Sequence, residues 1–422
     1  MSGTVLRIVV LSCCVWAAVF TASSWAEEPV FPREWLLPGG VTYQLRGRLD
    51  TDALWATQSS KNEADFGELQ DVVGLRRARI GIEGDLPNDC SYVAEIDLAG
   101  GEPQIRDFYI QHGLAIGGNE RIGHFREPFS LEGDTSANYY AFMERSPANT
   151  LDPARNWGVG LYELRPTSDT AFSMGGFYSG TDTSDFAGGD GSTAGVTAKL
   201  TAAPIYEDDG RRLLHFGVAG ASRIPLDNVI LINDGPQSNL LEFNDTPSSV
   251  FIPTITIPAD FQEILNCQIA VARGSWWSQA EWYGTFIDQT DGPTVFYHGS
   301  HVDVGVFLTG EHREYQASTG VFGPVKVNRP VFNCRGSYGR ELGPGAWELV
   351  ARFAWADFYD FDAPTNNGQV QGVQLPEGTL GANWYLTDHT RLMFNYTYAA
   401  PIEPTEGQSS ASVLGTRLGV FW

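Results

Sequence analysis

The feature that most restricts how this chain can fold is an alternation of apolar and polar residues that recurs from residue 42 to the last, broken by Gly, Asp, Asn and Pro turns. Alternation with a period of two puts unlike side chains on the two faces of a strand. In 42–50, Tyr43, Leu45, Gly47 and Leu49 share one face, while Thr42, Gln44, Arg46, Arg48 and Asp50 share the other. Ala78, Ile80 and Ile82 oppose Arg77, Arg79 and Glu83, and Trp347, Leu349, Ala351, Phe353 and Trp355 oppose Glu348 and Arg352. Near the end, Leu392, Phe394, Tyr396 and Tyr398 oppose Arg391 and Asn395, and Leu414, Leu418, Val420 and Trp422 oppose Arg417. Further candidate strands lie near 91–98, 105–111, 119–125, 157–163, 171–178, 194–201, 213–222, 264–273, 276–286, 301–309, 332–340 and 379–386, which brings the total to sixteen or seventeen.

Soluble sandwiches and membrane barrels both accept such strands, and the composition of the faces separates them. The outer face of a soluble sheet is crowded with charge, yet only 18% of this chain is charged, while 12% is aromatic and 47 residues are glycine. The polar faces are thin, mixed with Gly and Ala, and carry single Arg or Glu residues; the apolar faces end in aromatics such as Trp355, Tyr398 and Trp422. Aromatic girdles around a polar lumen are the mark of an outer-membrane barrel. After residue 26 no stretch reaches the ~20 apolar residues of a spanning helix, so a membrane location requires a closed barrel in which every backbone group finds a partner. Bacterial single-chain barrels have even strand numbers. The predicted fold is therefore all-β, a transmembrane antiparallel β-barrel of sixteen strands.

Residues 1–26 read as an export signal: one positive charge at Arg7, an apolar run from Ile8 to Phe20, and a small-residue end that places cleavage after Ala26. Residues 27–40 form a short N-terminal periplasmic segment, and 41–422 form the barrel. Removing Cys13 and Cys14 with the signal leaves Cys90, Cys267 and Cys334, without the spacing of a disulfide framework or a zinc site. Two connections are too long for turns. Residues 126–156, with Arg126, Arg145 and Arg155 beside Tyr139, Tyr140 and Phe142, read as a constriction loop folded into the lumen; 223–263, rich in Pro, Asn, Asp and Ser, reads as a long external loop.

Charge narrows the function. The 51 acidic and 27 basic residues give a net charge of -24, which excludes affinity carried by nucleic-acid phosphates. Only Lys61, Lys199 and Lys326 are lysines, leaving 24 arginines. Guanidinium forks suit planar recognition of anions or buried ion pairs. Arg352, Arg391 and Arg417 read equally well as cross-strand partners that hold the wall. Four cations at Arg46, Arg48, Arg77 and Arg79 on neighbouring strands repel one another, so they imply either a transient anion site or a network neutralised by acids. Arg76 falls on the opposite face by strict alternation, and joining this set requires a bulge.

Enzymatic and metal readings find little support. Alternation puts His301 and Asp303 on one face but not His298, two ligands where a metal site needs three or four. There is no Gly-x-Ser-x-Gly elbow. No catalytic residue, metal or cofactor is implied.

A set of segments occurring in order resembles the phosphate-selective porins O and P: Gly47-Arg48-Leu49-Asp50; Leu75-Arg76-Arg77-Ala78-Arg79-Ile80-Gly81-Ile82-Glu83-Gly84; Gly123-His124-Phe125-Arg126-Glu127-Pro128-Phe129-Ser130-Leu131-Glu132; Phe142-Met143-Glu144-Arg145-Ser146; Phe307-Leu308-Thr309-Gly310-Glu311; Trp347-Glu348-Leu349-Val350-Ala351-Arg352; and Asn383-Trp384-Tyr385-Leu386 with Arg391-Leu392-Met393. The resemblance implies a homotrimeric sixteen-stranded porin in outer-membrane lipid, with a third external loop folded inward from Arg126 and an arginine ladder carried over to Arg48, Arg76, Arg77 and Arg79. The residues expected to line an anion pore are Arg46, Arg48, Arg76, Arg77, Arg79, Arg126 and Arg145. The expected function is passive diffusion of small hydrophilic solutes with a preference for anions such as phosphate. Acidic loops such as Asp182-Thr183-Ser184-Asp185 and Glu207-Asp208-Asp209 make that preference weak rather than strictly phosphate-specific. A non-selective or cation-preferring porin, and a non-conducting surface-binding barrel, are the alternatives.

Overall fold

The computed structural model describes residues 34–101, 103–167, 169–180, 191–232, 251–252, 255–332, 340–363, 365–366, 369–370, 372–403 and 407–422. Sixteen antiparallel strands close into one ring. They are β1 (Val41–Gln58), β2 (Val72–Leu86), β3 (Cys90–Asp97), β4 (Gln104–Gly113), β5 (Asn119–Arg126), β6 (Arg155–Thr167), β7 (Thr170–Ser179), β8 (Thr193–Glu207), β9 (Arg212–Pro225), β10 (Ile255–Arg273), β11 (Trp276–Gln289), β12 (Val295–Phe307), β13 (Ala346–Asp357), β14 (Gln374–Thr387), β15 (Thr390–Ala399) and β16 (Ala411–Phe421). Each pairs with its sequence neighbour, and Arg48 of β1, opposite Arg79 of β2 and Phe421 of β16, marks the closure. Sixteen of the candidate segments coincide with these strands. The seventeenth, 332–340, has bends at Phe332 and Arg340, and the rest of it lies outside the described residues, as does the predicted signal 1–26.

The burial pattern is inverted relative to a soluble protein. Ile122 is 62% exposed, Val196 57% and Leu380 64%, whereas Arg391 and Arg417 are 1% exposed and rank among the largest fully buried side chains. Apolar residues face outward and polar residues inward, as a barrel in lipid requires. Aromatic pairs such as Trp347 with Trp384, stacked at 5.0 Å, stand at strand ends.

Two departures from strict alternation follow from bulges. Asp50 pairs with Arg77 and Thr51 with Leu75, so Arg76 is the extra residue on β2. Ala94 pairs with Phe108 and Ile96 with Ile105, so Arg106 and Asp107 both stand opposite Glu95. A bulge turns an additional residue toward the same face. The first supplies the irregularity that Arg76 required.

Two segments fold inward from opposite ends of the ring. Up-and-down topology puts the connection 127–154 at one end and 308–345, between β12 and β13, at the other. The second is a long connection that the sequence reading did not single out; its short hairpin of Tyr315–Gln316 with Val321–Phe322 packs inside the barrel. Leu131, Ala141 and Phe142 of the first join Phe322, Val325 and Val327 of the second in one buried apolar cluster with Trp277 and Tyr385. The predicted external loop 223–263 is shorter than expected. β9 runs on to Pro225 and β10 begins at Ile255, with Val229–Ile232 paired to 255–258. Pro258 of β10 stands opposite Val229, the last pair of that short ladder, where a missing N–H is tolerated. Residues 233–250 of that loop lie outside the described set.

Candidate functional site

The lumen has two unlike sides, and the inward segment 127–154 decides which is which. It leaves β5 after Arg126 and lies against β8 to β16, tied to the inward faces of those strands. Ser130 caps a single helical turn, α1 (Leu131–Asp134), with its side chain accepting from Gly133 N. Glu281 of β11 accepts from the N–H groups of Leu131 at 2.8 Å and Glu132 at 2.6 Å, so the free donors at the start of that turn meet a carboxylate. Lys199 of β8 donates to Asp134 at 2.9 Å. Arg352 of β13 donates to Glu132 at 2.5 Å, to Asp303 at 2.7 and 2.8 Å and to the Glu144 carbonyl at 3.1 Å. Asn383 donates to the Ala141 carbonyl at 2.8 Å, and Arg391 to those of Tyr140 at 2.5 Å and Ala137 at 3.1 Å. Arg417 donates to the Met143 carbonyl and pairs with Asp52 and Glu144, each at 2.6 Å.

Glycines let the segment come close. A Cβ on Gly299 would lie 2.8 Å from Ala148 Cβ, and one on Gly415 would lie 2.9 Å from Met143 Sδ. The electrostatics of the segment are set by burial and by the wall. Burial pushes the Glu144 carboxyl up, but Arg76, Arg77 and Arg417 outweigh it and hold the group well below the usual carboxylate range. At Asp134 burial wins over Lys199, and the carboxyl is raised.

The other side, along β1 to β6, stays open. All seven residues predicted to line a pore, Arg46, Arg48, Arg76, Arg77, Arg79, Arg126 and Arg145, border one cavity of about 250 Å³. Arg106, Arg121 and Arg155 join them, making ten arginines against three lining carboxylates, Glu95, Asp107 and Asp134. Most of their partners stand behind them in the wall or in the inward segment. Arg46 pairs with Glu83 at 2.7 Å, Arg48 with Asp50 at 2.7 Å, Arg79 with Asp97 at 2.8 Å, and Arg126 with Asp152 at 2.5 Å. Arg76 and Arg77 share Glu144, at 2.9 and 3.2 Å. Arg155 is held by Asp107 at 3.1 Å. Arg121 is different: it donates to Gln111 at 2.8 Å and its guanidinium lies 4.2 and 4.4 Å from the ring centroids of Tyr109 and Tyr162. Arg121 and Arg126 also border a second cavity of about 200 Å³ that reaches Lys199 and the 315–322 hairpin.

The four-arginine cluster is a network paired to acids, the second of the two sequence readings. Arg46, Arg48, Arg77 and Arg79 are each paired with carboxylates, Arg46 also with the lining Glu95, and all four border one cavity. Arg352 and Arg417 are wall partners, as expected, but they also hold the inward segment. Arg391 binds that segment through backbone carbonyls. The predicted lining left out Arg106 and Arg121, and Arg155 was named only within the constriction loop. Alternation with Ile122 points Arg121 inward, whereas Arg106 needs the bulge and carried no signal of its own. The two-ligand count at His301 and Asp303 also needs correction, because the inward segment brings Glu132 beside them.

The known proteins this chain resembles point the same way. The phosphate-selective porin O and P family matches residues 43–418. Porin O of Pseudomonas aeruginosa is 25% identical, over 85% of this chain and 83% of its own length. An uncharacterized protein of Caulobacter vibrioides is also 25% identical, over 95% of this chain and 77% of its own. Among solved structures, the outer-membrane channel DcaP of Acinetobacter baumannii superposes with a TM-score of 0.54 at 12% identity, over 93% of this chain and 100% of that one. OmpT of Vibrio cholerae does so at 0.51 and 12%, over 92% and 99%. Matched over nearly all of its barrel, the chain belongs to the phosphate-selective porin O and P family and is an outer-membrane porin, a channel.

Proposed function

We propose that the protein passes small hydrophilic solutes by passive diffusion, with a weak preference for anions such as phosphate that is set in the arginine cavity between β1–β6 and the inward segment. The observation that carries this is the excess of ten arginines over three carboxylates on the lining. Guanidinium groups bind phosphate through paired N–H donors, and rings of charge at a narrow point set selectivity. Segment 127–154 is then the constriction loop. The net charge of -24 opposes anion entry, but charges at the rim are screened over ~8 Å at physiological salt, which leaves an interior site partly insulated. In the same reading the chain is exported with its first 26 residues removed, which moves its charge to -25, and it assembles as a homotrimer through its apolar outer faces.

The test is the reversal potential across a planar bilayer in a salt gradient, with and without phosphate, for wild type and Arg121→Ala. The expected result is anion selectivity that phosphate reduces and the substitution weakens. Cation selectivity indifferent to both would overturn it. A second reading, a non-conducting surface-binding barrel, is favoured by one observation, the apolar cluster in which the two inward segments meet. A complete absence of conductance would select it.

A further inference from the structure

We propose that His301 of β12, Glu281 of β11 and Glu132 of α1 hold a divalent metal ion of the zinc class, which ties the inward segment to the wall on the side of the ring away from the arginine cavity. Alternation along β12 gives only His301 and Asp303, but two contacts outside that strand complete the set. Glu281 stands directly across the β11–β12 ladder from His301, and α1 carries Glu132 onto the same spot.

The imidazole shows what the site is built for. His301 is 1% exposed and its Nε2 makes no hydrogen bond. That nitrogen lies 3.4 Å from Glu281 Oε1 and 3.5 Å from Glu132 Oε2. Metal bonds of ~2.0–2.1 Å in a tetrahedron put neighbouring ligand atoms ~3.4 Å apart, and the imidazole nitrogen has that spacing to each of the two carboxylate oxygens. The other ring nitrogen, Nδ1, faces Asp303 Oδ1 at 3.3 Å. A carboxylate behind a metal-binding histidine fixes its tautomer and raises its basicity.

Charge agrees with geometry. Around His301, which gives up its second proton when it binds a metal, stand Glu132, Glu281 and Asp303, with Arg352 paired to Glu132 and Asp303. One cation against three carboxylates leaves two negative charges at a buried position, which a divalent ion balances. The two ligating oxygens, Glu281 Oε1 and Glu132 Oε2, accept from Glu132 N and Ser146 Oγ and each keep a second lone pair. The imidazole nitrogen and the small ligand number select a zinc-like ion over calcium or magnesium, which take six or more oxygens or keep their water. The competing occupant is a proton on His301 bridging the two glutamates.

The test uses the full chain folded in detergent with Co²⁺ as an optical probe. The expected result is the intense visible absorption of a tetrahedral site, displaced by equimolar Zn²⁺ but not by excess Ca²⁺. His301→Ala should abolish it, Glu132→Gln should weaken binding at least tenfold, and His112→Ala, at an exposed histidine, should leave it unchanged. Absorption typical of the hydrated ion, or a signal that survives His301→Ala, would overturn the proposal and leave the proton as occupant. Should His301→Ala fail to fold, X-ray absorption of zinc-loaded wild type decides. One imidazole with oxygens at ~2.0–2.1 Å supports the site, and an all-oxygen shell overturns it.

Discussion

Arg417 and Arg121 project into the same lumen from β16 and β5, yet what faces them differs. Arg417 meets Asp52, Glu144 and the Met143 carbonyl, and it is wholly enclosed. Arg121 meets a glutamine side chain and the rings of Tyr109, Phe125 and Tyr162, and it borders both cavities. The same contrast separates the β8–β16 side from the β1–β6 side. On one, wall cations are consumed by the inward segment; on the other, the segment takes part of Arg48, Arg76 and Arg77 through Asn138 and Glu144, wall acids pair the rest, and the arginines border open space. Arginine content alone therefore does not mark a pore. What marks it is which layer holds the acids.

The contrast breaks most visibly on the packed side. Arg417→Ala leaves Asp52 and Glu144 buried without their shared partner, and removing one member of a buried pair costs about 3–5 kcal/mol. Heat-modifiable gel mobility should show a lower unfolding temperature, and single-channel conductance should rise as the segment loosens. An unchanged unfolding temperature would mean that the segment is not held from that side. Gly299→Val is the steric counterpart. Its side chain would enter the space of Ala148, and overpacking of this kind costs about 1–3 kcal/mol, with the same direction in conductance but no change in ion preference.

These two residues also show where legibility stops. The sixteen strands were readable because lipid and lumen impose opposite chemistry on alternate residues, and the exposure of Ile122, Val196 and Leu380 bears that out. Arg76 was readable as a misfit that called for a bulge. Arg106 was not, since its bulge is set by pairing with β3 rather than by its own neighbours. The docking of Glu132 and Glu144 was also hidden. Their partners Arg352 and Arg417 lie more than two hundred residues away, and no local period records such a contact. The inward packing of 315–327 was hidden as well, since the buried contacts of Phe322, Val325 and Val327 with the other inward segment leave no local period.

On the open side the order of effects should reverse. Arg121→Ala removes a cation that borders the cavity without an ion pair to break, so stability should fall by no more than about 1 kcal/mol, the scale of exposed cation–π contacts. The reversal potential should nevertheless move toward cations. A large loss of stability with no shift in selectivity would erase the distinction between the two sides.

The smallest predicted effect is a pH dependence, and its sign follows from two acids of the inward segment. Burial raises Asp134, which lines the arginine cavity, so it takes up a proton at higher pH than an ordinary carboxylate. Glu144 is depressed by Arg76, Arg77 and Arg417. A depressed carboxylate contributes stability that is present above its unfolded value of ~4.3 and lost only as pH falls through its lower folded value. Mild acidification should therefore neutralise Asp134 while the segment stays docked through Glu144. Anion preference should increase as the pH falls below neutral, with no jump in conductance. One charge at ~8 Å in water is worth ~0.5 kcal/mol, about a twofold change in permeability ratio. Asp134→Asn should raise the preference at neutral pH and remove the dependence. If instead anion preference falls on acidification, or conductance jumps before selectivity changes, then Asp134 does not act on the permeating ion and Glu144 does not hold the segment.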